Sequence, residues 1–389
     1  MNILYSFRTR GVGAESVHIS GIANAFEELG HSVEFESPTG LDPRKGTGHS
    51  PYRESGKSSL LHRVVTKLPG PLFELAEIAY NHRVRKRILQ RLCKKQYDLI
   101  YERHAFFLEA TSRLAASRDI PYVVEVNELV GDERVRKQPL LTPLCRRYDQ
   151  RIFQQAKLVV TVSPHLRRKI LEQYSIDENK VLVHPNAVES KILEKETDQK
   201  KFCYQYELEG RLVICFVGWF VPWHRLDLLV DAFSSLCANK PNLSPLLLLA
   251  GDGPLKKELK KQAMELGISE NIVFTGSMPH EEIPNLLRAS DISVIPHSNE
   301  YRSPIKLFEY MAQESAVIAP STEPIASIIS DGVNGILFEP LNSTEFIEKL
   351  CLLATDVELR KRLGKNGRQT VEKHHTWTHN AREILARIA

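Results

Sequence analysis

What most constrains this chain is a rhythm that runs twice. Short apolar runs of strand length alternate with longer stretches of helical spacing. In the first half, Asn2–Phe7, Ser32–Glu36, Tyr97–Tyr101, Pro121–Val126, Leu158–Val162 and Lys180–Val183 read as strands, with helical patterns such as Ser16–Leu29 and the stretch ending at Lys157 between them. The second half restarts with "RLVICFVG" and continues through "LLLLAGDG", "NIVFTG", "DISVIP", "AVIAP" and "NGILFEP". Alternating strands and helices predict parallel sheets covered by helices on both faces. Two such series predict an α/β chain of two doubly wound, Rossmann-like domains. The charged stretch Glu189–Lys201 reads as the linker, which places the domains at 1–195 and 200–375. A closing helix over 376–389, beginning near Trp377, is expected to pack back on the first domain.

The 389 residues are 42% hydrophobic and 26% charged, as in a folded globular chain, and the formal charge of +4 is too small to announce a nucleic-acid binder. The six cysteines are scattered without a C-x-x-C, so they read as reduced thiols of a cytoplasmic protein rather than as a disulfide framework or zinc site. "MNILYSF" enters a strand pattern directly, without the layout of a signal peptide, and no apolar run is long enough to span a bilayer. Pro38–Ser59 is rich in Gly, Ser, Pro and basic residues and reads as a long mobile loop. It contains Gly56-Lys57-Ser58, the tail of a phosphate-binding P-loop, but the earlier glycine of that motif is replaced by Pro51 and no strand precedes it. Arg83–Lys95 carries seven basic residues and no acid; it reads either as a solvated helix face or as a basic amphipathic helix resting on anionic lipid.

Four strand-to-helix turns carry candidate chemistry, since open α/β sheets bind ligands at such turns. In "RTRGVGAES", Gly11 and Gly13 let backbone approach a ligand closely while Arg8 and Arg10 supply charge; a plain tight turn reads equally well. In "GWFVPWHRLDLL", Gly218 permits a turn, and His224 and Arg225 precede a helix where they could neutralise a leaving phosphate or simply lie on the surface. In "LLLLAGDGPLKKEL", Gly251 and Gly253 turn the chain, Pro254 is expected to start the helix, and Asp252 reads as structural. In "SPIKLFEYMA", Ser303 is the expected cap, Pro304 the first helical residue, and Lys306 shares a face with Glu309. That pattern describes a capped helix with a surface Lys–Glu pair. It equally describes a helix start that holds a diphosphate, with Lys306 adding charge and Glu309 accepting from a ribose diol.

The ordered set of Gly13-Ala14-Glu15, Leu29-Gly30-His31, Gly218, Gly251-Asp252-Gly253-Pro254, "VFTG" and "SPIKLFEYMA" resembles glycosyltransferase family 4 over nearly the whole chain. The resemblance implies the GT-B fold, with an active site between the two domains. It implies transfer of a sugar from a nucleotide diphosphate sugar, UDP-linked by family habit, with retention of anomeric configuration and no metal or other cofactor. No Asp-x-Asp occurs in the chain. The second domain would bind the donor and the first an acceptor hydroxyl of a glycan, a lipid-linked molecule or a small molecule, in polysaccharide or glycoconjugate synthesis. Peripheral contact with the inner face of an anionic membrane is the corresponding expectation for Arg83–Lys95.

Residue by residue, the resemblance assigns Gly13 to the loop near the donor phosphate and acceptor, Ile305, Lys306 and Leu307 to the diphosphate, and Glu309 to the ribose. It assigns Gly276, Ser277 and Met278 to the nucleobase. The chain departs from the family pattern at several of its positions. Trp219 and His224 stand where the family has an Arg–Lys pair, so His224, helped by Arg225 and Lys306, is expected to supply the missing charge. Tyr301, beside Glu300, stands where the family has the first of two glutamates, and Asn127 where it often has a catalytic His. His104 is another candidate. The competing readings are a nucleotide-sugar epimerase of the same fold and a non-catalytic binder of nucleotide sugars.

Overall fold

The computed structural model describes residues 1–9, 14–40, 42–44, 70–132, 138–194 and 198–389. The turn residues Arg10, Gly11 and Gly13, most of Pro38–Ser59 and the Gly56-Lys57-Ser58 tripeptide lie outside the described residues. The chain forms two units, Met1–Pro185 with Trp377–Ala389, and Asn186–Thr376.

The first unit is built on six parallel strands: β1 (Asn2–Ser6), β2 (Ser32–Glu36), β3 (Leu99–Arg103), β4 (Tyr122–Val126), β5 (Leu158–Thr161) and β6 (Val181–Val183). They lie in the order β2-β1-β3-β4-β5-β6. The closing helix, Trp377–Ile388, packs on the Ala14–Glu28 helix. Gly21 makes this approach possible, because a Cβ there would lie 2.2 Å from Trp377 Nε1. Thr378 donates to Glu28 at 2.8 Å, Asn380 to the Pro185 carbonyl at 2.9 Å, and Lys157 Nζ to the Ile388 carbonyl.

The basic stretch lies at the end of the Gly70–Leu92 helix and just beyond it. Three of its charges are taken up locally by acids of β2. Arg91 Nε meets Glu36 at 2.7 Å, Lys95 Nζ meets Glu34 at 2.7 Å, and Arg87 reaches Glu36 at 3.5 Å. Arg83, Arg85, Lys86 and Lys94 are exposed. No helix among the described residues is long and apolar enough to cross a membrane.

The second unit repeats the plan with β7 (Leu212–Val217), β8 (Pro245–Ala250), β9 (Ile272–Gly276), β10 (Ile292–Val294), β11 (Ala316–Pro320) and β12 (Ile336–Phe338). These strands are parallel, in the order β12-β11-β10-β7-β8-β9. Side chains of β7 alternate between two cores, as pleating requires. Ile214 and Phe216 join Leu229, Phe233 and Leu350 on one face, whereas Val213 and Cys215 join Phe308, Met311 and Ile325 on the other.

The expected linker is instead part of this unit. Ser190–Glu194 and Gln199–Gln205 are helices whose Ile192, Leu193, Phe202 and Cys203 pack into its second core. The end of the first of these helices is held by Gln313, which donates to the Ile192 carbonyl at 3.1 Å, and Arg368, which donates to the Leu193 carbonyl at 2.6 Å. Abundant charge in the segment masks these few apolar anchors.

Candidate functional site

In the second sheet the strand order reverses between β7 and β10, which pair directly through Ile214–Ile292 and Cys215–Ser293. The crevice beyond the carboxyl ends at such a reversal is where open α/β sheets take ligands. The segments that leave β7, β8, β9 and β10 are those carrying Gly218 to Arg225, Gly251 to Gly253, Gly276 to Met278, and His297 to Pro304.

Three of these turns are laced together through backbone. Gly218 N–H donates to the Ala250 carbonyl at 2.9 Å, Gly251 N–H to Gly276 at 2.9 Å, and Phe220 N–H to Asp252 at 2.7 Å. Gly251, at φ +146°, has no alternative, since a Cβ there would lie 1.9 Å from the Gly218 carbonyl oxygen. Gly218 serves a different purpose: a Cβ would lie 2.7 Å from Lys306 Nζ, so its bareness lets the ammonium reach the turn. The helix after Gly253 begins at Lys256, two residues past Pro254. Asp252 accepts from the Gly253 N–H at 2.9 Å, a structural role.

The Ile305–Ala312 helix is pinned to β7 by Tyr310, whose hydroxyl accepts from the Val217 N–H at 2.8 Å. Its start differs from the sequence expectation. Pro304 is the cap residue, and no side chain caps the helix. The Ser303 hydroxyl instead accepts from the Asn186 N–H at 2.9 Å, and the Asn186 amide donates to the Ser303 carbonyl at 2.5 Å. No side chain therefore meets the first amides of the helix; the Leu307 N–H reaches back to the Pro304 carbonyl at 3.1 Å, and the helix start keeps partial positive charge. Ile305 is half-buried and Leu307 fully buried, so the latter anchors this end of the helix in the core.

Lys306 and Glu309 do not form the surface pair. Lys306 Nζ is buried, has no hydrogen-bond partner, and sits 4.0 Å over the centroid of the Phe216 ring. Burial pushes its pKa down to about 7, only partly offset by the Glu309 carboxylate. Glu309, itself 8% exposed, bonds His280 at 2.7 Å, and that bond raises the His280 pKa.

His224 shares the Phe216 neighbourhood, with ring centroids 5.4 Å apart, and its Nδ1 is buried without a partner. Burial, then Lys306, Arg302 and His297, push its pKa down to about 2. His224 is therefore neutral in the ligand-free protein, and an anion would have to arrive before it could carry charge. Arg225 has left-handed backbone at φ +47° and clasps Asp227 at 2.8 Å. An unpaired ammonium, a helix start without a side-chain cap and a neutral imidazole beside them can together seat a multiply charged anion.

Tyr301 is buried and its hydroxyl accepts from Arg302 Nε at 3.1 Å, whereas Glu300 is exposed. Ser277 is exposed and Met278 half-buried beyond the Gly276 turn, which has φ +78°. His280, His297, Arg302 and Phe216 went unnoticed in the sequence. Each is a lone residue without a motif, and only the meeting of strand ends gives it meaning.

The candidates of the first unit have partners of their own. Asn127 Nδ2 donates to Glu125 at 2.6 Å, and the same buried carboxylate takes His18 at 2.7 Å, Tyr101 at 2.7 Å and Arg103 at 2.9 Å. Their combined charge and hydrogen bonds outweigh burial and hold the Glu125 carboxyl well below the usual range. His104 is buried against Phe106 and Phe153 and bonds Asp149 at 2.9 Å. Gly13 lies outside the described residues. Among the described residues, no group of three or more His, Cys, Asp or Glu side chains is placed to hold a metal ion.

Comparison with known proteins gives the family and agrees with the fold. The family model "Glycosyltransferase Family 4" matches residues 15–191 and "Glycosyl transferases group 1" matches residues 198–370. An uncharacterized glycosyltransferase of Methanocaldococcus jannaschii is 24% identical over 93% of this chain and 90% of its own. The D-inositol 3-phosphate glycosyltransferase of Stackebrandtia nassauensis is 26% identical over 97% of this chain and 86% of its own. Among solved structures, HepE of Anabaena, crystallised with UDP and with UDP-glucose, superposes with a TM-score of 0.71 at 16% identity in its UDP complex, each chain covered to 99%. With two doubly wound units, a buried unpartnered lysine at the second sheet's switch point and both family models matched in order, the chain is an enzyme of the family 4 glycosyltransferases with the GT-B fold.

Proposed function

We propose that the chain transfers a sugar from a nucleoside diphosphate sugar, UDP-linked, to an acceptor hydroxyl with retention of configuration. The observation that carries this reading is Lys306: a buried ammonium with no partner, beside an uncapped helix start. A charge left in that state costs free energy unless an anion arrives to meet it. The diphosphate would take the ammonium and the first amides of the Ile305–Ala312 helix. The ribose would take Glu309, displacing or sharing its bond to His280, and the base would lie along Gly276, Ser277 and Met278. UDP in the HepE crystals supports the choice of nucleotide.

The chemistry that follows is leaving-group stabilisation. The bond from the anomeric carbon to the β-phosphate oxygen breaks with its electron pair staying on that oxygen. Lys306 and a newly protonated His224 would meet the developing charge. The acceptor oxygen forms its bond to the same face of the anomeric carbon, and its proton passes to the departing diphosphate.

Calorimetric titration with UDP tests the seat. The wild type should bind, and Lys306→Met should lose about tenfold or more in affinity, the worth of one charge-assisted contact. Equal binding by both proteins would remove the seat from Lys306. The anomeric configuration of a transferred sugar, read by proton NMR, tests retention. The exposed Arg83, Arg85, Lys86 and Lys94 are the surface proposed to meet an anionic membrane. Co-sedimentation with phosphatidylserine vesicles that vanishes at high salt is the expected result.

A further inference from the structure

The segment leaving β10 holds more positive charge than a diphosphate at Lys306 accounts for. Arg302 donates its Nε to the Tyr301 hydroxyl, and its guanidinium lies 5.4 Å from the Tyr301 ring centroid and 5.7 Å from that of Trp223. Among the described residues, no carboxylate stands within ion-pair distance of it. His297 bonds the Trp223 carbonyl at 2.9 Å, which brings it to the same tryptophan. Trp223 in turn is next to His224, with ring centroids 6.1 Å apart, and His224 and Lys306 share Phe216.

These contacts give the site a direction. Glu309, bonded to His280, shares the helix with Lys306 and acts electrostatically on it. Arg302 and His297 meet at Trp223 and act on His224. In any nucleoside diphosphate sugar the pyrophosphate separates the pentose from the transferred sugar. With the ribose at Glu309 and the phosphates at Lys306, the transferred sugar extends toward Trp223, Arg302 and His297. A neutral hexose presents hydroxyls that both donate and accept, whereas a guanidinium only donates. The group that suits a planar, always-charged fork with its Nη atoms unengaged is a carboxylate.

We infer that the donor sugar carries a carboxylate, as in a hexuronic acid, and that Arg302, flanked by His297 and backed by Trp223, is the residue that selects it. This rests on the donor-site reading above and adds the class of sugar.

Calorimetry with the full-length protein tests it without an acceptor. The probes are UDP, UDP-glucose, UDP-galactose, UDP-glucuronate and UDP-galacturonate, with wild type, Arg302→Gln and Arg302→Lys. One of the uronates should bind about tenfold or more tighter than its parent hexose, the increment expected of a charged hydrogen-bonded pair. Arg302→Gln should abolish that preference while changing UDP affinity by less than about twofold, and Arg302→Lys should keep part of it. The inference is overturned if the wild type binds the hexoses as tightly as the uronates. It is equally overturned if Arg302→Gln weakens UDP as much as UDP-uronate, which would place the guanidinium on a phosphate. Failure of UDP itself to bind would instead sink the donor-site reading, and this inference with it. Circular dichroism of each variant separates a lost contact from a lost fold.

Discussion

The two units are built on the same plan, yet they differ in whether the buried basic groups near the carboxyl ends of their sheets are met. In the first, basic side chains meet acids. Arg103 and His18 close on Glu125, His104 on Asp149, and Arg8 on Glu77 at 2.9 Å. Even Glu102, whose pKa burial pushes up to about 7, has Tyr122 and Ser6 donating to it. In the second, Lys306 Nζ and His224 Nδ1 are buried with nothing opposite them. A satisfied network fixes structure, because breaking it exposes every member at once. An unsatisfied cation holds back interaction energy that only an incoming anion can release. On this comparison the first sheet's polar cluster is expected to serve stability and the second's, on the function proposed above, binding.

The sharpest way to break the comparison is to remove the centre of the first cluster. Glu125→Ala strands His18 and Arg103 in a buried site, and should cost about 3–5 kcal/mol of stability, the usual penalty for leaving one side of a buried pair alone. Urea denaturation would measure it. A loss below about 1 kcal/mol would mean that the network relaxes, and the contrast between the units would dissolve.

Lys306 should behave in the opposite sense. Lys306→Met removes a buried charge that has no partner, so stability should hold or rise by about 1 kcal/mol. Turnover, by contrast, should fall about 10²–10³-fold, or 3–4 kcal/mol of transition-state stabilisation. Denaturation and steady-state rates on the same preparation check both halves. If stability falls along with turnover, Lys306 is a structural residue after all.

This asymmetry marks the limit of what the sequence makes legible. Strand positions are visible because buried parallel strands are written as apolar runs such as "LVICFV" and "PLLLLA", which need no knowledge of partners. The Gly218, Gly251 and Lys306 constellation is visible because each element falls at a strand-to-helix turn. The Ser303 cap is misread because the hydroxyl is claimed by Asn186, which lies 117 residues away. Cap propensity is local and cannot register such a competitor. For the same reason Asn127 and His104 look available in the sequence, while their acids, Glu125 and Asp149, close on them in the fold. Arg302 and His297 escape notice because an arginine without an acid is recognisable only once all its neighbours are known.

A smaller effect concerns pH. The Lys306 pKa is near 7 when folded, against about 10.5 for an ordinary lysine. Between those values the unfolded chain binds more protons, so its contribution makes ligand-free stability rise with pH from about 7 to about 10.5. Below pH 7 both states are protonated and the contribution is flat. An anion on the ammonium restores its pKa, so UDP binding at pH 8 should take up as much as one proton, and affinity should weaken as pH rises further. Calorimetry in buffers of different ionisation enthalpy counts the protons. The same count in Lys306→Met would assign the uptake elsewhere.

The smallest effect is expected at Arg225, which, unlike Lys306, has an acid beside it as the basic residues of the first unit do. Its guanidinium is held by Asp227, 37% of the side chain is exposed, and its backbone is left-handed. An exposed pair of this kind is worth about 0–1 kcal/mol, whereas a non-glycine residue in the left-handed region costs about 1–2 kcal/mol. Arg225→Gly exchanges the first for relief of the second. Melting should therefore move by less than the equivalent of about 1 kcal/mol, in the stabilising direction. Turnover should stay within about threefold of wild type, because a guanidinium already bound to a carboxylate has little charge left to offer a phosphate. A tenfold fall in turnover would mean that Arg225 leaves Asp227 for the donor, and would extend the second unit's unspent charge to a third residue.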